Sequence, residues 1–256
     1  MPYSSRFRVF ENYDSASAQV AAEMAQLIRE RATLGRTAVL GLATGKTPLP
    51  LYHELIYLHR EEGLSFDNVV TFNLDEYHGL QDDHPASFRA VMQKTLFDHL
   101  DIRPENTHFL SGSIGKAGVA SHCAGYERKI AAAGGIDFQI LGIGRNGHIG
   151  FNEPGSAINS RTRMVELHDS TRRDAARTFR GIDNVPSHAL TMGCGTILEA
   201  RRIAMLAWGS RKSRIVCKAI KDPITPDLPA SYLQNHSTTL YYLNPSAGTQ
   251  VRRKGG

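Results

Sequence analysis

Apolar positions along the chain recur with two periods, one typical of amphipathic helices and one typical of buried strands. Within residues 15–34, Val20, Met24 and Ile28 have the spacing that places them on one face of a helix. The apolar run at residues 37–43 is short and continuous, as in a strand that is buried on both faces. These two periods predict the helices and strands of the whole sequence.

Helices and strands are predicted to alternate. The predicted helices are residues 15–34, 48–62, 87–100, 116–133, 170–180, 196–200 and 210–220. The predicted strands are residues 37–43, 68–74, 136–143, 187–192, 202–208 and 238–243. Such alternation is typical of a mostly parallel sheet with helices on both faces. We therefore expect an α/β fold, a three-layer sandwich, with a frayed tail at residues 249–256.

The composition fits one globular domain. The chain has 256 residues, of which 41% are hydrophobic and 21% charged, so it can bury a sizeable core. No internal repeat, low-complexity linker or shift in composition divides the sequence, which favours a single domain over residues 1–256. No apolar run approaches the length that spans a bilayer, so no membrane partner is expected.

The charge pattern favours a small anionic ligand over nucleic acid. The formal net charge is +5, and Arg252, Arg253 and Lys254 near the C-terminus supply three of these charges. The rest of the chain is only mildly basic. No stripe of Lys and Arg interleaved with aromatic residues marks a surface for nucleic acid, so that partner is not expected.

The cysteines and the N-terminus indicate a cytoplasmic protein. Cys123, Cys194 and Cys217 are far apart and lack the spacing of metal ligands, as expected of reduced thiols. The first ten residues carry Arg6 and Arg8 but no apolar core of a secretory signal.

The most informative segment is residues 141–155, Leu-Gly-Ile-Gly-Arg-Asn-Gly-His-Ile-Gly-Phe-Asn-Glu-Pro-Gly. A buried strand breaks here into glycines, which let a backbone turn sharply and approach a ligand. His148 and Glu153 follow at the carboxyl end of the strand, where open α/β sheets place their chemistry. The alternative is a tight turn with a surface His and Glu.

A second candidate site lies between a predicted strand and a predicted helix. It consists of Thr44, Gly45, Lys46 and Thr47, and Pro48 follows in the first turn of the helix. Free backbone N–H groups and the helix dipole bind phosphate at such places. Gly41 and Gly45 enclose three residues, whereas the glycines of a nucleotide P-loop enclose four, so that motif is excluded. An ordinary strand-to-helix turn is the alternative.

A third candidate site is the pair Asp75 and Glu76, which follows the apolar strand at residues 68–74. Adjacent side chains of an extended chain point in opposite directions, so at most one of these carboxylates need face a site. A half-shielded carboxylate at a strand end can act as a general base. An Asp that caps a loop is the alternative.

Together these segments resemble a known family. Residues 44–48, 73–77, 142–154 and the Ser-Arg-Thr-Arg segment at 160–163 are similar, in order and spacing, to the motifs of glucosamine-6-phosphate deaminases. The segment Gly-His-Ile-Gly-Phe-Asn-Glu-Pro is highly specific. The related 6-phosphogluconolactonases share a Gly-His turn but resemble this sequence much less beyond it. The resemblance implies a modified Rossmann-like sandwich.

The resemblance also implies a reaction, in which glucosamine 6-phosphate and water give fructose 6-phosphate and ammonia without a metal or organic cofactor. Asp75 would move a proton between C2 and C1 of the sugar, and His148 would assist ring opening. Glu153 would orient His148. Asn146 stands where many members have an Asp, so the proton relay would be reduced to His148 and Glu153.

For the phosphate of this substrate, the resemblance implies a site on residues 44–47 together with Arg177 and Lys212. Lys46 occupies a position that is usually small, and it either adds a charge at the phosphate or points to solvent. Neighbouring cations leave the choice of ligands open, since any of them could be part of a solvated helix face. They are Arg172, Arg173, Arg180 and Arg211.

The resemblance does not extend fully to allosteric control. Ser156 and Arg163 match residues that bind an acetylated sugar phosphate in allosteric members, but Val165 stands in place of a Lys. We therefore expect no activation, although a homo-oligomer is possible. Two other functions stay open: another 6-phosphosugar isomerase or lactonase, and a phosphosugar-binding regulator without catalysis.

Overall fold

The computed structural model describes residues 6–252, and ten strands lie in this part of the chain. They are β1 (Phe7–Val9), β2 (Ala38–Leu42), β3 (Val69–Asn73), β4 (Asp75–Tyr77), β5 (Thr107–His108), β6 (Phe138–Gly142), β7 (Arg163–Glu166), β8 (His188–Thr191), β9 (Ile203–Ala207) and β10 (Thr239–Leu243). Seven of them form one sheet in the order β1-β10-β9-β6-β2-β3-β5, and every neighbouring pair is parallel. This confirms the predicted mostly parallel sheet.

Helices flank this sheet on both sides, as expected for a three-layer sandwich. They are α1 (Tyr13–Thr33), α2 (Leu49–Glu62), α3 (Phe88–Thr95), α4 (Val119–Ala132), α5 (Asp169–Ala175), α6 (Cys194–Leu198), α7 (Ser210–Lys221) and α8 (Thr249–Arg252). Between β2 and β10 the central strands are almost entirely buried, which is why their sequences are continuous apolar runs.

α1 shows how the sequence pattern produces this packing. A capping box closes its first turn: Ser15 N donates to Asn12 Oδ1 at 2.8 Å, and Asn12 N donates to Ser15 Oγ at 3.3 Å. Val20, Met24 and Ile28 are buried, which confirms the predicted apolar face.

A second sheet, which the sequence did not predict, has the order β4-β8-β7 and is antiparallel. The strand predicted at residues 187–192 belongs to this small sheet and not to the parallel one. Only Leu74 lies between the end of β3 and the start of β4. Strands of three or four residues are too short to show a clear hydrophobic period. Antiparallel strands also need no crossover helix between them, so no helix in the sequence indicates their pairing.

Several predicted boundaries were wrong. The helix predicted over residues 87–100 ends at Thr95, and the one over residues 170–180 ends at Ala175. The short edge strands β1 and β5 were missed. The expected frayed tail is contradicted over residues 249–252, which form α8 with Val251 buried, because Gln250 N donates to Ser213 Oγ at 3.0 Å. Residues 253–256 lie outside the described part of the chain.

Within residues 6–252, no helix has both the length and the apolar character that crossing a membrane requires.

Candidate active site

A cavity of about 490 Å³ opens at the carboxyl ends of β2, β3 and β6. Parallel strands all end at the same edge of a sheet, so the three candidate segments meet there. Of the residues singled out in the sequence, the following line the cavity: Thr44, Gly45, Lys46, Thr47, Asp75, His148 and Lys212.

The turn after β2 is held from two sides. Tyr52 Oη donates to the carbonyl oxygen of Ala43 at 2.5 Å, and Trp208 Nε1 donates to that of Thr47 at 2.9 Å. Gly45 has φ +126°, a conformation that side chains rarely adopt, and nothing lies within 4 Å of the position of a Cβ atom there. The turn leads into α2, whose N-terminus lacks a side-chain cap. Its free N–H groups therefore favour an anion.

Asp75 and Glu76 point to different places, as the extended backbone of β4 requires. Asp75 lines the cavity. Glu76 instead accepts hydrogen bonds from the backbone N–H groups of Phe88 and Arg89, both at 3.0 Å, in the first turn of α3. One carboxylate therefore faces the cavity while the other stabilises a helix.

Asp75 is protonated more readily than an ordinary aspartate. Burial, followed by the nearby charge of Glu76, raises the pKa of Asp75 to about 8. A carboxyl group with this pKa can both accept and return a proton near neutral pH.

His148 is placed by the glycine turn after β6. Gly144 N donates to the carbonyl oxygen of His148 at 2.9 Å. A Cβ atom on Gly144 would lie 2.3 Å from Cε1 of the imidazole, so only glycine leaves room for the ring. His148 Nδ1 is buried and lies 3.4 Å from Glu153 Oε2.

Glu153 is the centre of a small polar network. Asn146 Nδ2 donates to Glu153 Oε2 at 2.6 Å, and Thr171 Oγ1 donates to Glu153 Oε1 at 2.5 Å. Burial alone would raise the pKa of Glu153, but the nearby His148 imidazole, together with hydrogen bonds from Thr171 and Asn146, outweighs burial and lowers the pKa to about 2. The carboxylate stays ionised beside the imidazole. Asn146 and Glu153 thus lie behind His148 and do not line the cavity.

The two predicted phosphate cations are placed differently. Lys212 lines the cavity, and its Nζ donates to the carbonyl oxygen of Ile143 at 2.7 Å. Burial lowers the pKa of Lys212, the nearby Asp174 carboxylate opposes that shift, and Arg145 adds to it. Arg177 is exposed, follows the end of α5 and does not line the cavity.

The model of the family described as glucosamine-6-phosphate isomerases/6-phosphogluconolactonase matches residues 11–242. The chain belongs to this family. A glucosamine-6-phosphate deaminase of Hahella chejuensis is 50% identical over 84% of this chain and 81% of its own length. Glucosamine-6-phosphate deaminase 2 of Giardia intestinalis is 47% identical over 93% of this chain and 89% of its own.

Solved structures of the family superpose on this fold. A monomeric glucosamine-6-phosphate deaminase has a TM-score of 0.91 and 42% identity, and the match covers 96% of this chain and 99% of that one. A 6-phosphogluconolactonase of Thermotoga maritima has a TM-score of 0.73 at 20% identity, covering 93% and 99%. That likeness shows the fold alone.

One relative is much longer than this chain. A putative glucosamine-6-phosphate deaminase-like protein of Bacteroides thetaiotaomicron is 41% identical over 96% of the chain, which spans 37% of that relative's length.

The residues that the sequence resemblance relates to an effector site, Ser156, Arg163 and Val165, lie away from the lining of the cavity. Arg163 donates through Nη2 to Ser156 Oγ at 3.2 Å and through Nη1 to Asn152 Oδ1 at 2.9 Å. Val165 packs against an apolar cluster that contains Tyr77.

Sequence reasoning missed three residues of the site. Thr171 gave no signal, because its role depends on how the residues after β7 fold back onto Glu153. Arg145 and Asp174 line the cavity and form an ion pair across it. Arg145 lies inside the glycine-rich motif, and a cation in that position was a signal that could have been used.

Proposed function

We propose that this chain is a glucosamine-6-phosphate deaminase, which converts glucosamine 6-phosphate and water to fructose 6-phosphate and ammonia. The observation that carries the proposal is the meeting of Asp75, whose pKa is raised to about 8, with the His148–Glu153 pair and the turn at residues 44–47 around one cavity. Relatives that are 44–50% identical over most of the chain carry this name.

Substrate binding starts with the phosphate. In this proposal the N–H groups of residues 44–47 and the ammonium of Lys212 hold it, because both face the cavity and neither has a carboxylate hydrogen-bonded to it. Arg177 would join them only if the residues after α5 move towards the cavity. Lys46 is exposed at the cavity edge and adds positive charge there.

His148 opens the sugar ring. It takes the proton from the hydroxyl group on C1 and delivers a proton to the ring oxygen, which leaves an aldehyde. Glu153 holds the imidazole and stabilises its charged form. Asn146 cannot take up a proton, and its part is to donate to Glu153 Oε2, which keeps that carboxylate in place.

Asp75 then carries out the isomerisation. Its carboxylate removes the proton from C2 and returns it to C1. The C1 carbonyl oxygen gains a proton and the amine loses one, so the amino aldehyde becomes an imine at C2 with a hydroxyl group on C1. Water adds to C2, the C–N bond breaks, and ammonia leaves. The product is the 2-ketose phosphate.

We further propose that the chain is one domain over residues 1–256 that acts in the cytoplasm, in the breakdown of N-acetylglucosamine and other amino sugars. A solved glucosamine-6-phosphate deaminase with 42% identity to this chain is monomeric, and we propose that one copy of this chain is active on its own, with a homo-oligomer as the alternative.

An assay for released ammonia tests the proposal. Glucosamine 6-phosphate, galactosamine 6-phosphate and 6-phosphogluconolactone are supplied in parallel. We expect ammonia and a ketose phosphate from the first of these. Lactone hydrolysis without ammonia release would instead establish a lactonase, and phosphosugar binding without turnover would establish a regulator.

A further inference from the structure

Arg145 and Asp174 form an ion pair that joins two walls of the cavity. Arg145 belongs to the glycine turn after β6, and Asp174 lies in the last turn of α5. Arg145 Nε donates to Asp174 Oδ2 at 2.9 Å, and Nη2 donates to Oδ1 of the same carboxylate. The Asp174 carboxylate therefore occupies two parallel N–H donors of the guanidinium.

This geometry is the one in which a guanidinium also holds phosphate. Arginine binds carboxylates and phosphates through the same planar pair of N–H groups. Asp174 therefore occupies donors that a phosphate could use. The place is suitable for an anion, because Lys212 and residues 44–47 line the same cavity as the pair.

The pair can open at little cost. The side chains of Arg145 and Asp174 are 55% and 51% exposed, and ion pairs with such access to water are weak. A phosphate dianion carries more charge than a carboxylate and is repelled by Asp174 when the pair stays closed. An entering phosphate therefore favours the state in which Arg145 has exchanged partners.

Resting on the proposed function, we propose that Arg145 is a ligand of the substrate phosphate and that Asp174 competes with this phosphate for the guanidinium. Asp174 thus sets the affinity for phosphorylated sugars. Removing the carboxylate strengthens phosphate binding, whereas removing the guanidinium weakens it.

Calorimetric titration with inorganic phosphate tests this on the full chain, without any need for turnover. Asp174→Asn keeps the size of the side chain and removes its charge, and we expect phosphate to bind severalfold more tightly. Arg145→Gln loses a charge-assisted contact, and binding should weaken about tenfold or more. Arg173→Gln is the matched control, since Arg173 lies on α5 next to Asp174 but does not line the cavity.

The double variant separates competition from a general effect of charge. In an Arg145→Gln background, Asp174→Asn should give little further gain, because the two residues act through one another. If Asp174→Asn raises phosphate affinity equally in the unmodified chain and in Arg145→Gln, the two groups do not compete. If Arg145→Gln leaves phosphate affinity unchanged, or if the unmodified chain binds no phosphate, Arg145 is not a phosphate ligand.

Misfolding cannot imitate the tighter binding expected of Asp174→Asn. The ammonia assay is read separately. Phosphate binding with this pattern but without ammonia release would reject the deaminase and keep the phosphate site. Ammonia release by the unmodified chain, with a phosphate affinity that neither substitution changes, would support the deaminase and reject the phosphate site.

Discussion

Asp75 combines burial with a charge that the proposed reaction requires. Asp75→Asn preserves the shape of the side chain but cannot accept a proton from C2. We expect kcat to fall by about 10²–10⁴-fold, which is typical of a lost general base, while binding of glucosamine 6-phosphate stays nearly intact. Steady-state kinetics and calorimetric titration measure the two quantities. A kcat close to that of the unmodified chain would contradict the role.

The same substitution should make the fold more stable at alkaline pH. The pKa of Asp75 is raised to about 8 in the fold, whereas an unfolded Asp titrates near about 3.9. Between these values the folded chain holds a proton that the unfolded chain lacks, so this group lowers stability as pH rises. Asp75→Asn should therefore have the higher Tm at pH 8, and the two Tm values should converge near about pH 4. Equal Tm values at pH 8 would mean that Asp75 is not penalised by burial.

Thr171 Oγ1 donates a hydrogen bond to Glu153 Oε1 at 2.5 Å. Thr171→Val removes the donor at nearly constant volume, so the pKa of Glu153 should rise and His148 should lose its orientation. We expect kcat to fall about tenfold or more with KM little changed, and Thr171→Ser to restore it. Carbon-13 titration of Glu153 reports the pKa directly. Thr178→Val is the control. Thr178 also lines the cavity, but it is not among the residues that affect the pKa of Glu153.

At the scale of elements, α8 distinguishes the observed structure from the frayed tail that the sequence favoured. Val251 is buried, and Val251→Ala should lower the free energy of unfolding by about 2 kcal/mol through lost contacts and a small cavity. The exposed Gln250 provides the control Gln250→Ala, which should have no such effect. Chemical denaturation measures both. Equal stability of the two variants would show that α8 does not contribute to the core.

The long elements were predictable because a buried face repeats over many residues. The face of α1 and the apolar runs of β2 and β6 depend only on local sequence. β4 was not predictable, since its three residues pair with β8 more than a hundred positions later. Its two carboxylates nevertheless followed the alternation expected of extended backbone.

The candidate site divides in the same way. His148 and Glu153 lie in one glycine-rich turn, so their proximity follows from the sequence between them. The contact of Thr171 with Glu153, and that of Asp174 with Arg145, depends on how the residues after β7 cross the cavity. No local pattern encodes such a crossing.

For the molecule as a whole, we predict hyperbolic kinetics without activation by N-acetylglucosamine 6-phosphate. An effector acts only through different affinities for two states. Arg163 is half-buried and bonded to Ser156 and Asn152, and Val165 supplies no charge for a phosphate. Initial rates against substrate concentration, with and without the acetylated sugar phosphate, provide the test. A sigmoidal curve that the effector makes hyperbolic would contradict the prediction.

The cavity is bounded by two sheets, and this division bears on which sugar can react. The turn at residues 44–47 follows β2 of the large sheet, while Asp75 belongs to β4 of the small one. If the phosphate binds to this turn and C2 must reach Asp75, the distance between the turn and Asp75 fixes how many carbons must separate C2 from the phosphate. A pentose phosphate anchored by its phosphate would leave its C2 short of Asp75. Chain length, and not only the amino group, would then decide the substrate.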